Sequence, residues 1–262
     1  MNVATVLAPA KLTVSLAVTG VRADGYHELR AEMVSLNLTD RLTFMDGGSE
    51  LNVVVPEAGT RSEALGPAEE NLITRALRAV GRQATVHLEK HIPLGGGLGG
   101  GSTDAAAVLR WAGCTDLSLA AGLGADVPFC VLGGRALVEG IGERVTPLPF
   151  ETQSFLLLLP PFGVNTPHVY AAWDALAPPL RVGAGNDLMA AALVVEPRLA
   201  RWRDALGELT GLEPKLAGSG STWFVEGSPP EVDREALSWL TLGAEKGRLV
   251  PAHAVPATWS GD

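Results

Sequence analysis

Twelve consecutive residues constrain this chain more than any other stretch: Pro93-Leu94-Gly95-Gly96-Gly97-Leu98-Gly99-Gly100-Gly101-Ser102-Thr103-Asp104. They hold six of its 31 glycines. Glycine loses more conformational freedom on ordering than any other residue, so a folded chain that clusters it has a use for close backbone approach or left-handed dihedrals there. Upstream, Ala84–Lys90 alternates like a strand, with Thr85, His87 and Glu89 on one face. Downstream, Ser102–Trp111 reads as a helix. A loop that opens into a helix presents unpaired N–H groups and the positive end of the helix dipole. Both suit a phosphate.

Three readings of the loop compete. A flexible linker fits poorly between a strand and a helix. A dinucleotide fingerprint is matched by Gly95, Gly97 and Gly100, but a fingerprint strand is buried on both faces and this one has a polar face. A Walker A loop has the right glycine separation at Gly96 and Gly101, but Ser102 stands where the lysine belongs. The loop therefore binds phosphate without a lysine of its own, and the cation comes from elsewhere.

Lysine is scarce: four of the 20 basic residues. Lys11 heads the strand Leu12–Val18, whose apolar row Leu12, Val14, Leu16, Val18 alternates with Thr13 and Ser15. Two readings are equally open for Lys11, a solvated strand end or a point charge aimed at a phosphate or a reacting hydroxyl. Asp126, in Gly124-Ala125-Asp126-Val127-Pro128, reads as a helix N-cap. Near Lys11 its carboxylate would also serve to orient or deprotonate an alcohol. His87, Glu89 and His91 share a strand face, which reads as a solvated polar face; the metal ligands stay unknown.

The 262 residues suffice for about two domains. With 47% hydrophobic and 19% charged residues the chain is ordinarily globular. Its net charge of −9 and lack of a basic run argue against a nucleic-acid partner. Cys114 and Cys130 form no metal spacing and read as reduced thiols. The longest uncharged run, 152–173, is broken by Pro160, Pro161 and Gly163. It cannot span a bilayer, and a cytoplasmic protein with no membrane partner is expected.

Further strands are expected at Val34–Leu38, Leu51–Val55, Phe155–Leu159 and Thr222–Val225. Helices are expected at Glu70–Val80, Pro197–Leu209 and Glu231–Leu242. Half-exposed alternation favours α+β over a doubly wound parallel sheet. The Pro-punctuated stretch near Thr146–Phe150 suggests domains at 1–148 and 149–262.

Pro9-Ala10-Lys11, the loop Pro93–Thr103 and Leu216-Ala217-Gly218-Ser219-Gly220 resemble, in order, the three motifs of the GHMP kinases. The resemblance implies a two-domain fold: a ribosomal-protein-like N-terminal domain with the ATP loop and a ferredoxin-like C-terminal one. It implies an ATP-dependent kinase acting on the alcohol group of a small molecule, with Mg²⁺ on the nucleotide. Lys11 and Asp126 match the catalytic pair. Pro93, Leu94, Gly95, Gly96, Gly97, Leu98, Gly99, Gly100, Gly101, Ser102 and Thr103 match the ATP loop, and Asn71 and Lys90 match residues near the adenosine. Asp24-Gly25-Tyr26-His27, Gly124–Pro128 and Thr166-Pro167 resemble the branch of the family in isoprenoid (terpenoid) precursor biosynthesis, whose substrate is a cytidine diphosphate derivative of methylerythritol. There Tyr26, His27, Thr166 and Tyr170 match the substrate pocket. The chain's two tyrosines, Tyr26 and Tyr170, would sandwich the cytosine, with His27 on its edge. Thr13 departs from the family's usual Asn. Mevalonate- or homoserine-type kinases, a decayed nucleotide-binding protein and an RNA-binding module are the rival readings.

Overall fold

The computed structural model describes residues 3–55, 70–176, 185–227 and 238–261. The chain forms β1 (Val3–Val21), β2 (His27–Val54), α1 (Leu72–Ala79), β3 (Ala84–Glu89), α2 (Gly100–Trp111), α3 (Leu117–Leu123) and α4 (Val127–Leu132). It continues with β4 (Arg135–Gly140), β5 (Arg144–Pro147), β6 (Ser154–Leu159), α5 (Thr166–Ala175), α6 (Met189–Val195) and α7 (Leu199–Thr210). The last elements are β7 (Lys215–Leu216), β8 (Trp223–Glu226), β9 (Trp239–Leu242) and β10 (Glu245–Val255). The architecture is α+β, as expected.

The strands run in the order β5-β4-β2-β10-β6-β8-β7, with β1 and β3 on β2 and β9 on β10. The N- and C-terminal strand groups meet where β10 pairs with β2 over Ala254↔Leu36 and Val255↔Ser35. A bridge between Leu16 and Asn186 makes a second tie. Residues from both halves of the chain, among them Lys11, Leu16, Thr166 and Gly218, line one cleft.

Local chemistry accounts for the helices that border it. Asn71 caps α1, its side chain accepting from Ile73 N at 2.9 Å, and Ile73 and Ala76 are wholly buried. α2 begins at Gly100, two residues earlier than the sequence suggests, from an N-cap Gly99 at φ 68°. Its alanine-rich stretch Ala105–Leu109 lies deep in the core.

Three expectations change. The strands expected at 34–38 and 51–55 belong to a single long β2, with Gly47 and Gly48 at positive φ between them. The helix expected over 231–242 is a strand at Trp239–Leu242, where the segment pairs with β10; its residues 231–237 lie outside the described residues. The apolar row of β1 is split. Register shifts between Pro9 and Lys11 and between Thr13 and Ser15 reverse the facing of the strand. Leu12 therefore joins the cluster of Phe155, Leu157 and Phe224, while Leu16 and Val18 join that of Phe44, Val86 and Val108. A bulge adds one residue to one strand, so every side chain beyond it changes face.

Candidate active site

The same irregularity in β1 builds the site. Lys11 N bonds outside the sheet to Leu98 O at 3.0 Å, drawing the glycine loop over the strand. The approach is close enough that a β-carbon on Gly99 would lie 2.7 Å from Lys11 Cγ. On its other side the loop meets the second glycine-rich turn. Thr222 N donates to Gly96 O at 3.2 Å, and a β-carbon on Gly97 (φ 78°) would lie 2.5 Å from Ala217 O. The linker reading of the loop fails on this packing.

Lys11 is 6% exposed, so the solvated strand end is excluded. Its ammonium donates to Thr13 Oγ1 at 3.1 Å and pairs with Asp126 Oδ2 at 3.4 Å. Asp126 sits at the N-cap position of α4, yet its side chain makes no capping bond. The carboxylate is thus directed to Lys11, partly open to solvent. Thr13, where the family usually has Asn, uses its oxygen to accept from Lys11, leaving its hydroxyl proton to donate.

A cleft of about 1060 Å³ joins these parts, above the range of roughly 300–1,000 Å³ usual for one ligand. Lys11, Thr13, Tyr26, His27, Pro93 to Ser102, Asp126, Thr166 and Tyr170 line it. Thr103 lies beneath, wholly buried, its hydroxyl donating to Pro9 O at 2.7 Å. Asn71 and Lys90 are not on the wall. The Lys90 ammonium is turned inward to Asp40 and Asp104 and buried.

The aromatic side chains of the cleft gather around His27. His27, not Tyr26, packs on Tyr170, with ring centroids 4.7 Å apart and planes at 30°. Tyr26 stands 61% exposed at the mouth. Burial, and then the charge of Asp126, raise the Tyr170 hydroxyl above its ordinary pKa, keeping it a neutral donor.

Several residues escaped the sequence reading. Asp174 on α5 bonds to His27 Nε2 at 2.7 Å. Ser219, quoted in the third motif but given no role of its own, shares a 2.7 Å hydrogen bond with Thr166. Asn186 Nδ2 donates to Leu216 O and Gly218 O at 2.8 and 2.7 Å, clamping the second glycine-rich turn. These carry no local signature, because each partner is distant in sequence. Among the described residues no cluster of His, Cys, Asp or Glu is arranged to hold a metal.

A glycine loop clasped between a Lys–Asp pair and a second glycine-rich turn defines a class, the small-molecule kinases of the GHMP type, and the GHMP kinases N terminal domain model matches residues 71–134. The chain is 38% identical to 4-diphosphocytidyl-2-C-methyl-D-erythritol kinase of Pelotomaculum thermopropionicum, over 85% of this chain and 88% of that one. It is 37% identical to that of Paracoccus denitrificans, over 83% and 84%. A crystal structure of 4-(cytidine 5'-diphospho)-2C-methyl-D-erythritol kinase superposes with a TM-score of 0.73 at 32% identity, covering 96% of this chain and all of the other. The mevalonate kinase of Methanococcus jannaschii, at 13% identity and a TM-score of 0.59, shares the fold alone. The chain belongs to the 4-diphosphocytidyl-2-C-methyl-D-erythritol kinase family.

Proposed function

We propose that this protein transfers the γ-phosphoryl group of ATP to the 2-hydroxyl of 4-diphosphocytidyl-2-C-methyl-D-erythritol, in the non-mevalonate route to isoprenoid precursors. The observation that carries the reading is the Lys11–Asp126 pair, 3.4 Å apart on the wall of the cleft that the glycine loop also lines. The loop's N–H groups and the α2 N-terminus receive the triphosphate. Lys11 places one positive charge between phosphate and alcohol. Asp126 accepts the proton of the substrate hydroxyl as its oxygen bonds to the γ-phosphorus and the bond to the ADP oxygen breaks. Catalysis of this kind is chiefly positioning and charge stabilisation. Mg²⁺ would arrive on the phosphates, which suits an ion that keeps several waters and needs few protein ligands.

Tyr26, His27, Thr166 and Tyr170 form the cytidine and substrate wall, and Thr13 donates to the reacting alcohol. The mevalonate- and homoserine-type alternatives lack a use for this aromatic end. A decayed site would have no reason to retain a half-open carboxylate against a buried lysine. Residues 1–148 form an N-terminal unit resembling a ribosomal-protein fold and 149–262 a ferredoxin-like one. A cytoplasmic location fits the two free cysteines, Cys114 and Cys130, and no helix among the described residues is long and apolar enough to cross a membrane. A coupled ADP-release assay tests the function. Turnover with the cytidine-diphospho alcohol and none with mevalonate or homoserine is expected, and the reverse preference refutes the reading.

A further inference from the structure

Beneath the glycine loop lie three ionisable side chains that the reaction does not use. Asp40 on β2, Lys90 after β3 and Asp104 on α2 are 0%, 2% and 5% exposed at their side chains. Asp40 Oδ1 accepts from His91 N at 2.6 Å and Ile92 N at 2.8 Å, fixing the two residues that lead into the loop. Its other oxygen takes the Lys90 ammonium. Lys90 also donates to Asp104 Oδ2 at 2.8 Å, one turn into the helix that leaves the loop. The entry and exit of the loop are thus tied through one ammonium. A β-carbon on Gly100 would lie 2.8 Å from Lys90 Nζ, so this charge sits directly under the first residue of α2.

Core packing does not account for the cluster. Burying an ion triad costs solvation, and apolar side chains of the same volume often hold a core as well or better. What apolar residues cannot do is accept two backbone N–H groups on one side and bind the helix on the other. We propose that Asp40, Lys90 and Asp104 form a positioning cluster for the nucleotide, holding the two ends of the glycine loop so that its N–H groups stay preorganised for the triphosphate. Lys90 on this account acts through the loop and not by touching the adenosine. The charge state fits. Burial first, with Asp40 adding to it and Lys90 opposing it, brings the Asp104 carboxyl up to about 7, so the cluster carries less than its formal negative charge under an anionic ligand. Asp104 Oδ1 is buried without a hydrogen-bond partner, so the carboxyl's hydrogen bond in the cluster is through Oδ2 to Lys90.

The inference rests on the proposed role of the loop as the phosphate site, and two readouts separate them. The first is amide exchange in the nucleotide-free protein. Asp40→Asn and Lys90→Met are expected to speed exchange across 93–101 while β1 and β10 stay protected. The second is binding. These variants are expected to raise the Kd for ADP and the KM for ATP at least about tenfold, with the KM for the alcohol changed less than about threefold. Asp104→Asn, which keeps an oxygen for Lys90, is expected to retain ATP affinity, whereas Asp104→Leu is expected to lose it. Should Asp40→Asn fail to fold, Lys90→Met and Asp104→Leu decide the matter. Lower melting temperature with unchanged loop exchange and unchanged ATP affinity overturns the proposal, and so does an equal rise in both KM values. Faster loop exchange in the variants, together with a wild type that binds no ADP, would instead overturn the phosphate reading and leave the clamp standing.

Discussion

Gly97→Ala puts one methyl group where the loop meets the second glycine-rich turn. Gly97 has φ 78°, and its added β-carbon would lie 2.5 Å from Ala217 O and 2.8 Å from Gly220 O. Both neighbours are backbone, so neither can swing aside as a side-chain tip would. The left-handed backbone costs an L-residue roughly 1–2 kcal/mol. Forcing an extra carbon into a filled space costs typically about 1–3 kcal/mol more. The sum is about 2–5 kcal/mol, and the loop relieves it most readily by moving away from Ala217, which displaces the N–H groups proposed to receive phosphate. A displacement costing about 2 kcal/mol at the phosphate corresponds to roughly 30-fold in affinity. KM for ATP, followed by coupled ADP release, is therefore expected to rise by at least about tenfold, with a smaller change for the alcohol substrate. Gly113→Ala is the control. It has φ 69° with nothing within 4 Å of the added carbon, so it carries the backbone cost without the clash and lies away from the cleft. Equal melting-temperature losses in the two variants, with the ATP KM unchanged in Gly97→Ala, would refute the close-approach argument.

Asp126→Asn is expected to keep the fold, because the carboxylate makes no capping bond and an amide oxygen can still accept from Lys11, and to lower kcat by at least roughly 100-fold; near-normal single-turnover rates would remove it from proton transfer. Tyr26→Ala is expected to raise KM for the cytidine substrate by roughly 5- to 150-fold, from about 1–3 kcal/mol of base stacking, and to leave KM for ATP and thermal stability unmoved; loss of ATP affinity instead would reverse the two nucleotide sites. The pH dependence of stability carries a fourth test. Asp104 is raised from 3.8 to about 7 in the fold, so between those values the native state holds a proton that the unfolded state has released, and this group's contribution falls as pH rises toward 7. In Asp104→Asn that component is absent, so the difference in melting temperature between wild type and variant should shift with pH across this window; a difference that stays constant would place the carboxyl's titration elsewhere.

The chemistry of the site was legible wherever it is written in a short run of residues. Four glycines ahead of a helix and two in its first turn made a phosphate site the expectation, because no other residue tolerates that backbone so freely. Lys11 and Asp126 stood out by type and motif, and the resemblance ordered them into a pair. Tertiary structure alone decided what depends on partners far along the chain. Lys90 was drawn inward by Asp40, 50 residues away, and His27 was claimed by Asp174, 147 residues away. Periodicity placed Leu12 and Leu16 on one face, and a one-residue bulge in β1 sent them to different cores. Trp239–Leu242 became a strand because β10 offered it a free edge. Local sequence fixes propensity and chemical capability, while a buried charge or a strand register is settled by whichever distant group can satisfy it once water is gone.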